Sequence, residues 1–288
     1  MKNTWMMLVL ALVFLASCGG QQQQKQVDPQ KVAEPLSTSN LQLYRLSQPL
    51  ARAGVPSPII LTPFSKGVSA LDTAEWNCSQ VTATGDLTDN DNDGIPVDAT
   101  YNGRCTWGNS NGSGSISGYW EFKNLVIQDP NDHDPDAGIK ASGSIIWGVE
   151  SGGSSVTFTW ELDKHNLEKQ GGGHKFDFEG TWTIVGSGDT YIFKYNMSGN
   201  WTPDSSSDPW GDGVMNANGS FSGSGPSCAS WSASFNLTSV HFSGDEINSG
   251  SGVYDVTDCG GDTAHIEVNW ATRQICVTAD GNTICYSF

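Results

Sequence analysis

The chain reads as an all-β protein, an antiparallel β-sandwich or β-barrel of hairpin-connected strands held by disulfides. Three observations carry that reading. From Trp76 to Phe288 apolar residues recur at every second position, the breaks between runs are short and rich in glycine, and no crossover segment suited to parallel strands is present. Composition agrees: 34 of 288 residues are Gly and only 16% are charged, whereas helix-rich domains lean on Ala, Leu, Glu, Lys and Arg. Eleven Trp and eleven Phe supply bulk for a packed core and exclude a wholly disordered chain. With 14 Lys+Arg against 31 Asp+Glu the formal charge is −17, a surface that repels phosphates and excludes nucleic acid as a partner.

The first element is an apolar run, Met6 to Leu15, behind Lys2 and ending in Leu15-Ala16-Ser17-Cys18 before Gly19-Gly20. It is too short to span a bilayer as a helix. Those four residues resemble the bacterial lipobox. The resemblance implies a signal peptide over residues 1–17, cleavage before Cys18 and diacylation of its thiol. It also implies a lipid-anchored protein of the bacterial cell envelope. Gly19, where lipoprotein sorting uses an aspartate for inner-membrane retention, favours the outer membrane, on its periplasmic or surface face. Residues 18–75 follow as a polar tether, with Gln21 to Gln24 and then Pro29, Pro35, Pro49, Pro56, Pro58 and Pro63. A flexible tether of that length has an end-to-end distance of roughly 40 Å.

Cysteine counting supports export. Seven cysteines would leave one thiol unpaired, and assigning Cys18 to the lipid leaves six for three disulfides in an oxidising compartment. One pair follows from geometry. A two-residue Asp280-Gly281 turn sets Ala279 opposite Asn282 as a hydrogen-bonded pair, so alternation makes Cys276 and Cys285 a non-hydrogen-bonded pair, where Cα atoms lie closest. Cys78 with Cys105 and Cys228 with Cys259 are the most local remaining choice. No Cys-x-x-Cys pair supports metal ligation instead.

Residues 76–288 form a single β domain. Val156, Phe158, Trp160 and Leu162 alternate with polar residues, as do Phe176, Phe178, Trp182 and Ile184, then Tyr191, Phe193, Tyr195 and Met197. Gly152-Gly153, Gly171-Gly172-Gly173, Gly186-Ser187-Gly188-Asp189 and Ser249-Gly250 read as the turns between strands. Closure into a barrel would remove exposed edges. The terminal Ile284-Cys285-Tyr286-Ser287-Phe288 looks like the assembly signal of outer-membrane barrels. The lipid anchor, a disulfide in that last hairpin and uneven strands argue instead for a domain outside the bilayer.

One motif carries chemistry. In Asp89-Asn90-Asp91-Asn92-Asp93-Gly94-Ile95, carboxylates at offsets 0, 2 and 4 converge because the glycine turns the chain, and hard oxygen donors suit Ca²⁺. The run resembles the calcium loops of EF-hands and, through Asp-Gly-Ile-Pro, of thrombospondin type 3 repeats. That resemblance implies Asp89, Asp91 and Asp93 as side-chain ligands and the Ile95 carbonyl at offset 6. It departs at offset 11, which is Thr100, so Asp98 at offset 9 is the expected substitute. An incomplete ligand set places affinity in the weak extracellular range, roughly 10⁻⁴ to 10⁻³ M. A second acidic run, with Asp129, Asp132, Asp134 and Asp136, is a weaker cation candidate because of its prolines and absent turn glycine, and it reads more readily as a charged, solvated hairpin tip.

No catalytic constellation is legible. Gly108-Asn109-Ser110-Asn111-Gly112 lacks the strand-to-helix elbow a nucleophile needs, and the five His occur singly. Paired carboxylates such as Glu161 with Asp163 or Asp177 with Glu179 suit polar strand faces as well as they suit glycoside hydrolysis. Trp201 and Trp210, in a loop with Asp204, Asp208 and Asp212, are the candidates for stacking on sugar rings, and the alternative is that such side chains fill the core or its ends. The sequence therefore predicts a lipid-anchored binding or structural module stabilised by Ca²⁺, whose partner is a glycan or an envelope protein. The alternatives are an extracytoplasmic polysaccharide hydrolase and a carrier of an apolar ligand inside a barrel.

Overall fold

The computed structural model describes residues 76–77, 79–109, 116–208, 211–244 and 246–288. Cys18, the signal peptide and the tether lie outside the described residues, as do Cys78 and Trp210. The described chain is all-β and antiparallel. Its strands are β1 (Trp76–Asn77), β2 (Thr82–Asp86), β3 (Asp98–Asn109), β4 (Ile116–Gln128), β5 (Gly138–Ser151), β6 (Ser154–Gln170) and β7 (Gly173–Gly186). The remainder are β8 (Asp189–Pro203), β9 (Gly213–Gly225), β10 (Cys228–Ser243), β11 (Glu246–Thr257), β12 (Thr263–Asn269), β13 (Gln274–Ala279) and β14 (Asn282–Ser287). They make one sheet in sequence order from β3 to β14, with β1 and β2 both pairing with β3. The hydrogen-bond order is open, so β14 is an edge.

Turn chemistry explains the meander. Gly152-Gly153, Ser187-Gly188 and Asp280-Gly281 all have positive φ at both central positions, the type I′ geometry that matches strand twist. The Asp280-Gly281 turn sets Cys276 opposite Cys285, and a disulfide joins them at a Cα separation of 4.0 Å. A second disulfide ties Cys228 to Cys259, 31 residues on, with Cα atoms 5.1 Å apart. Cys105 is also disulfide-bonded. Ser249-Gly250 is not a turn as the sequence suggested. It lies inside β11, where Gly250 has φ 103° beside an irregular stretch of the β10 pairing, and a Cβ there would sit 2.5 Å from the Ser239 carbonyl.

The two-residue period gives the sheet one apolar face. A row across it runs Ile127, Ala141, His165, Phe178 and Met197, each opposite the next, and a second runs Phe122, Ile145, Trp160, Trp182 and Phe193. Between these rows the pairings of β3 through β7 slip in turn, at Tyr101/Gly103, Lys123/Val126, Ala141/Gly143 and Leu162/Lys164. In β6 the slip resets the phase, so Leu162 is followed inward by His165 and Leu167. Strict alternation would have left His165 on the outer face.

Phe176, Phe178, Leu167, Met197 and Met215 are fully buried within one contiguous cluster that reaches from Val81 and Ile95 to Phe242 and Trp270. No helix or second sheet lies among the described residues, so the sheet must coil until its own apolar face is its cover. Side chains meet across an intervening strand, as on the concave side of such a coil: Trp201 of β8 packs 6.0 Å from Phe242 of β10. The cover runs out at the C-terminal edge, where Ile284, Tyr286 and Phe288 are more than half exposed.

Candidate metal centre

The acidic motif occupies the connection from β2 to β3, and the second acidic run occupies the connection from β4 to β5. Both connections leave the same end of the sheet, because β3 begins where β4 ends and β5 begins. Ile95, with none of its surface exposed, roots the first loop in the core. Backbone bonds from Val97 N to Thr88 O (2.9 Å) and from Asp129 N to Pro96 O (3.0 Å) close that loop and attach the second to it.

Within the first loop each aspartate spends one oxygen on the backbone. Gly94 N donates to Asp89 Oδ2 (3.0 Å), Asp93 N to Asp91 Oδ1 (3.2 Å) and Ile95 N to Asp93 Oδ1 (2.6 Å). Asn131 N likewise donates to Asp129 Oδ1 (2.8 Å). The other oxygens, Asp89 Oδ1, Asp91 Oδ2, Asp93 Oδ2 and Asp129 Oδ2, are buried and have no hydrogen-bond partner. Buried acceptors left without a partner are costly unless something positive sits among them.

Oxygens of Asp89, Asp91 and Asp93 lie within 4.8 Å of one another, a group that can hold a metal ion. A second group with the same spread joins Asp91 to Asp129 and Asp132. The two acidic runs, which look independent in the sequence, therefore meet. Asn90, unmarked by sequence reasoning, helps join them: its backbone N donates to Asp132 Oδ1 (2.7 Å) and its side-chain amide to Asp132 Oδ2. Burial, with repulsion from neighbouring carboxylates, pushes Asp91 and Asp129 above the usual carboxylate range and Asp93 up to about 7.

The remaining predicted ligands stand apart. Asp98 is exposed at the start of β3, opposite Asp86, and accepts from Gln128 Nε2 (3.2 Å). Asp134 is bonded by Lys169 Nζ (2.8 Å to Oδ2), which holds its carboxyl below the usual range, and Asp136 offers its backbone carbonyl to the buried His174. Both lie outside the two acidic groups. Asp134→Asn is accordingly expected to leave Ca²⁺ affinity unchanged within about fivefold in a calorimetric titration, because Asp134 lies outside both groups and an exposed ion pair of this kind contributes at most ~1 kcal/mol.

Trp201 is corrected as a stacking candidate and belongs to the core, the alternative that the sequence also left open. It is only 2% exposed and packs on Phe242, so it fills the core and offers no platform to a sugar ring. Its side chain is buried while residues 204–208 of the loop that follows are exposed, a distinction that residue type alone does not carry. Of the outer-face carboxylates, Asp177 is engaged by Lys164. An open depression of about 420 Å³ between the ends of β11, β12 and β13 is lined by polar groups including Asp255, His265 and Asp280. Asp255 accepts from His265 there (2.7 Å) and raises its pKa.

Fold and site together define an all-β antiparallel protein with an Asp-rich group able to hold a metal ion. Comparison of the chain with protein-family models, with curated proteins and with solved structures finds no match.

Proposed function

We propose that this protein is a lipid-anchored module of the bacterial cell envelope, a binding or structural domain stabilised by Ca²⁺ and held at the outer membrane through Cys18. The observation that carries the calcium reading is the set of four buried carboxylate oxygens without hydrogen-bond partners, at the positions where the loop motif expects ligands and on the neighbouring Asp129. Ca²⁺ suits them because it takes six to eight oxygen ligands in flexible geometry and carries the charge that these oxygens lack. The coiled sheet supports the module reading: its interior is filled by aromatic and aliphatic side chains, which leaves the outer face and loops to meet a glycan or an envelope protein.

Anchoring is tested by Cys18→Ala. The variant is expected to leave the membrane fraction for the soluble one, and retention at the wild-type level would sink the lipid anchor. A glycan and envelope-polymer binding array, run with and without Ca²⁺ and with turnover followed, separates a binding module from a hydrolase.

A further inference from the structure

Asp129 carries an inference beyond the loop motif. It is 9% exposed, lies on a different loop from the motif, and its Oδ2 is buried with no hydrogen-bond partner while Oδ1 is satisfied by Asn131 N. Together with Asp91 and Asp132 it presents oxygens within 4.8 Å of one another. We propose that Asp91, Asp129 and Asp132 form a second divalent-cation position, sharing Asp91 with the first and clamping the β4–β5 connection to the β2–β3 connection. The proposal rests on the calcium reading of the first position.

Geometry favours two ions over one. Oxygens bound to a single Ca²⁺ at 2.3–2.6 Å lie at most about 5 Å apart. The five aspartates form two groups of that size and not one, and only Asp91 belongs to both. Charge points the same way. None of the ion pairs among the described residues involves Asp89, Asp91, Asp93, Asp129 or Asp132; the nearby Lys169 is committed to Asp134. One divalent ion would leave most of that negative charge uncompensated, while a second nearly neutralises it. Asp132, held by both donors of Asn90, is already positioned by the first loop. Filling the first position should therefore prepare the second, and the two should fill cooperatively.

The test is the number of Ca²⁺ ions bound by the full-length protein, measured by equilibrium dialysis and calorimetry. Wild type is compared with Asp129→Asn, Asp132→Ala and Asp93→Asn, each checked for folding by circular dichroism. Two ions per chain in wild type, falling to one in both Asp129→Asn and Asp132→Ala, is the expected result. One ion per chain in wild type, kept in Asp129→Asn and lost in Asp93→Asn, overturns the second position and leaves the first. Two ions in wild type that persist in both β4–β5 variants also overturn it. No bound ion in wild type overturns both readings.

Discussion

Tyr195→Phe should cost about 2–5 kcal/mol of stability, read as a lower urea midpoint at unchanged m-value. The tyrosine is 2% exposed on β8, and its hydroxyl reaches across β7 to β6. The passage is Gly180, where a Cβ would lie 2.4 Å from Tyr195 Oη. There the hydroxyl accepts from Trp160 Nε1 (2.7 Å) and meets His165 Nε2 (2.6 Å). The neutral imidazole either takes the phenolic proton at Nε2 or donates from Nε2 to the oxygen, according to its tautomer, and its Nδ1 is buried without a hydrogen-bond partner. Removing the oxygen strands the indole N–H and the imidazole Nε2 where water does not reach, and each costs ~1–3 kcal/mol. Tyr191→Phe, at a side chain 36% exposed, is the control and should stay within ~0.5 kcal/mol.

The same network makes the fold sensitive to acid. Burial depresses the His165 pKa to about 3, whereas an unfolded chain takes up that proton near 6.5. Between those values the unfolded state binds more protons at this residue, so the contribution of His165 is full above about pH 6.5 and is lost as pH falls toward about 3, by up to ~1.4 kcal/mol per pH unit. His165→Leu should flatten this arm of the profile relative to wild type; parallel profiles would mean that His165 titrates normally in the fold.

Chelation is expected to lower the melting temperature by roughly 3–10 °C relative to 10 mM Ca²⁺. An ion binding the folded state at 10⁻⁴ to 10⁻³ M contributes about 1.4–2.7 kcal/mol at that concentration, and a domain of this size shifts by ~2–4 °C per kcal/mol. Asp93→Asn should remove most of the shift. An unchanged midpoint in wild type, with no heat of binding at millimolar Ca²⁺, would dispose of the calcium reading. Mg²⁺ should be the weaker stabiliser, since it demands near-ideal octahedral geometry and keeps its waters.

Much of the architecture was legible because strand period and turn residues are local signals. Phe176 and Phe178 face inward for the same reason that Asp177 faces outward, and Asp280-Gly281 sets the last hairpin without help from the rest of the fold. What escaped were departures from period two. The slip after Leu162 turns His165 from a surface residue into a core one, and the irregularity at Gly250 makes a supposed turn part of a strand. A one-residue bulge leaves almost no trace in composition, because it is selected by contacts with the neighbouring strand.

The antiparallel hairpins, the Cys276–Cys285 register and the first three aspartates of the acidic loop are written in local sequence, since each depends on residues a few positions apart. The folded sheet is what buries Trp201, gives Asp134 to Lys169, and brings Asp129 and Asp132 to Asp91 across a gap of about forty residues. Those contacts form when β3, β4 and β5 align their ends, and alignment of strand ends is a property of the sheet as a whole, set by pairing and bulges along each strand.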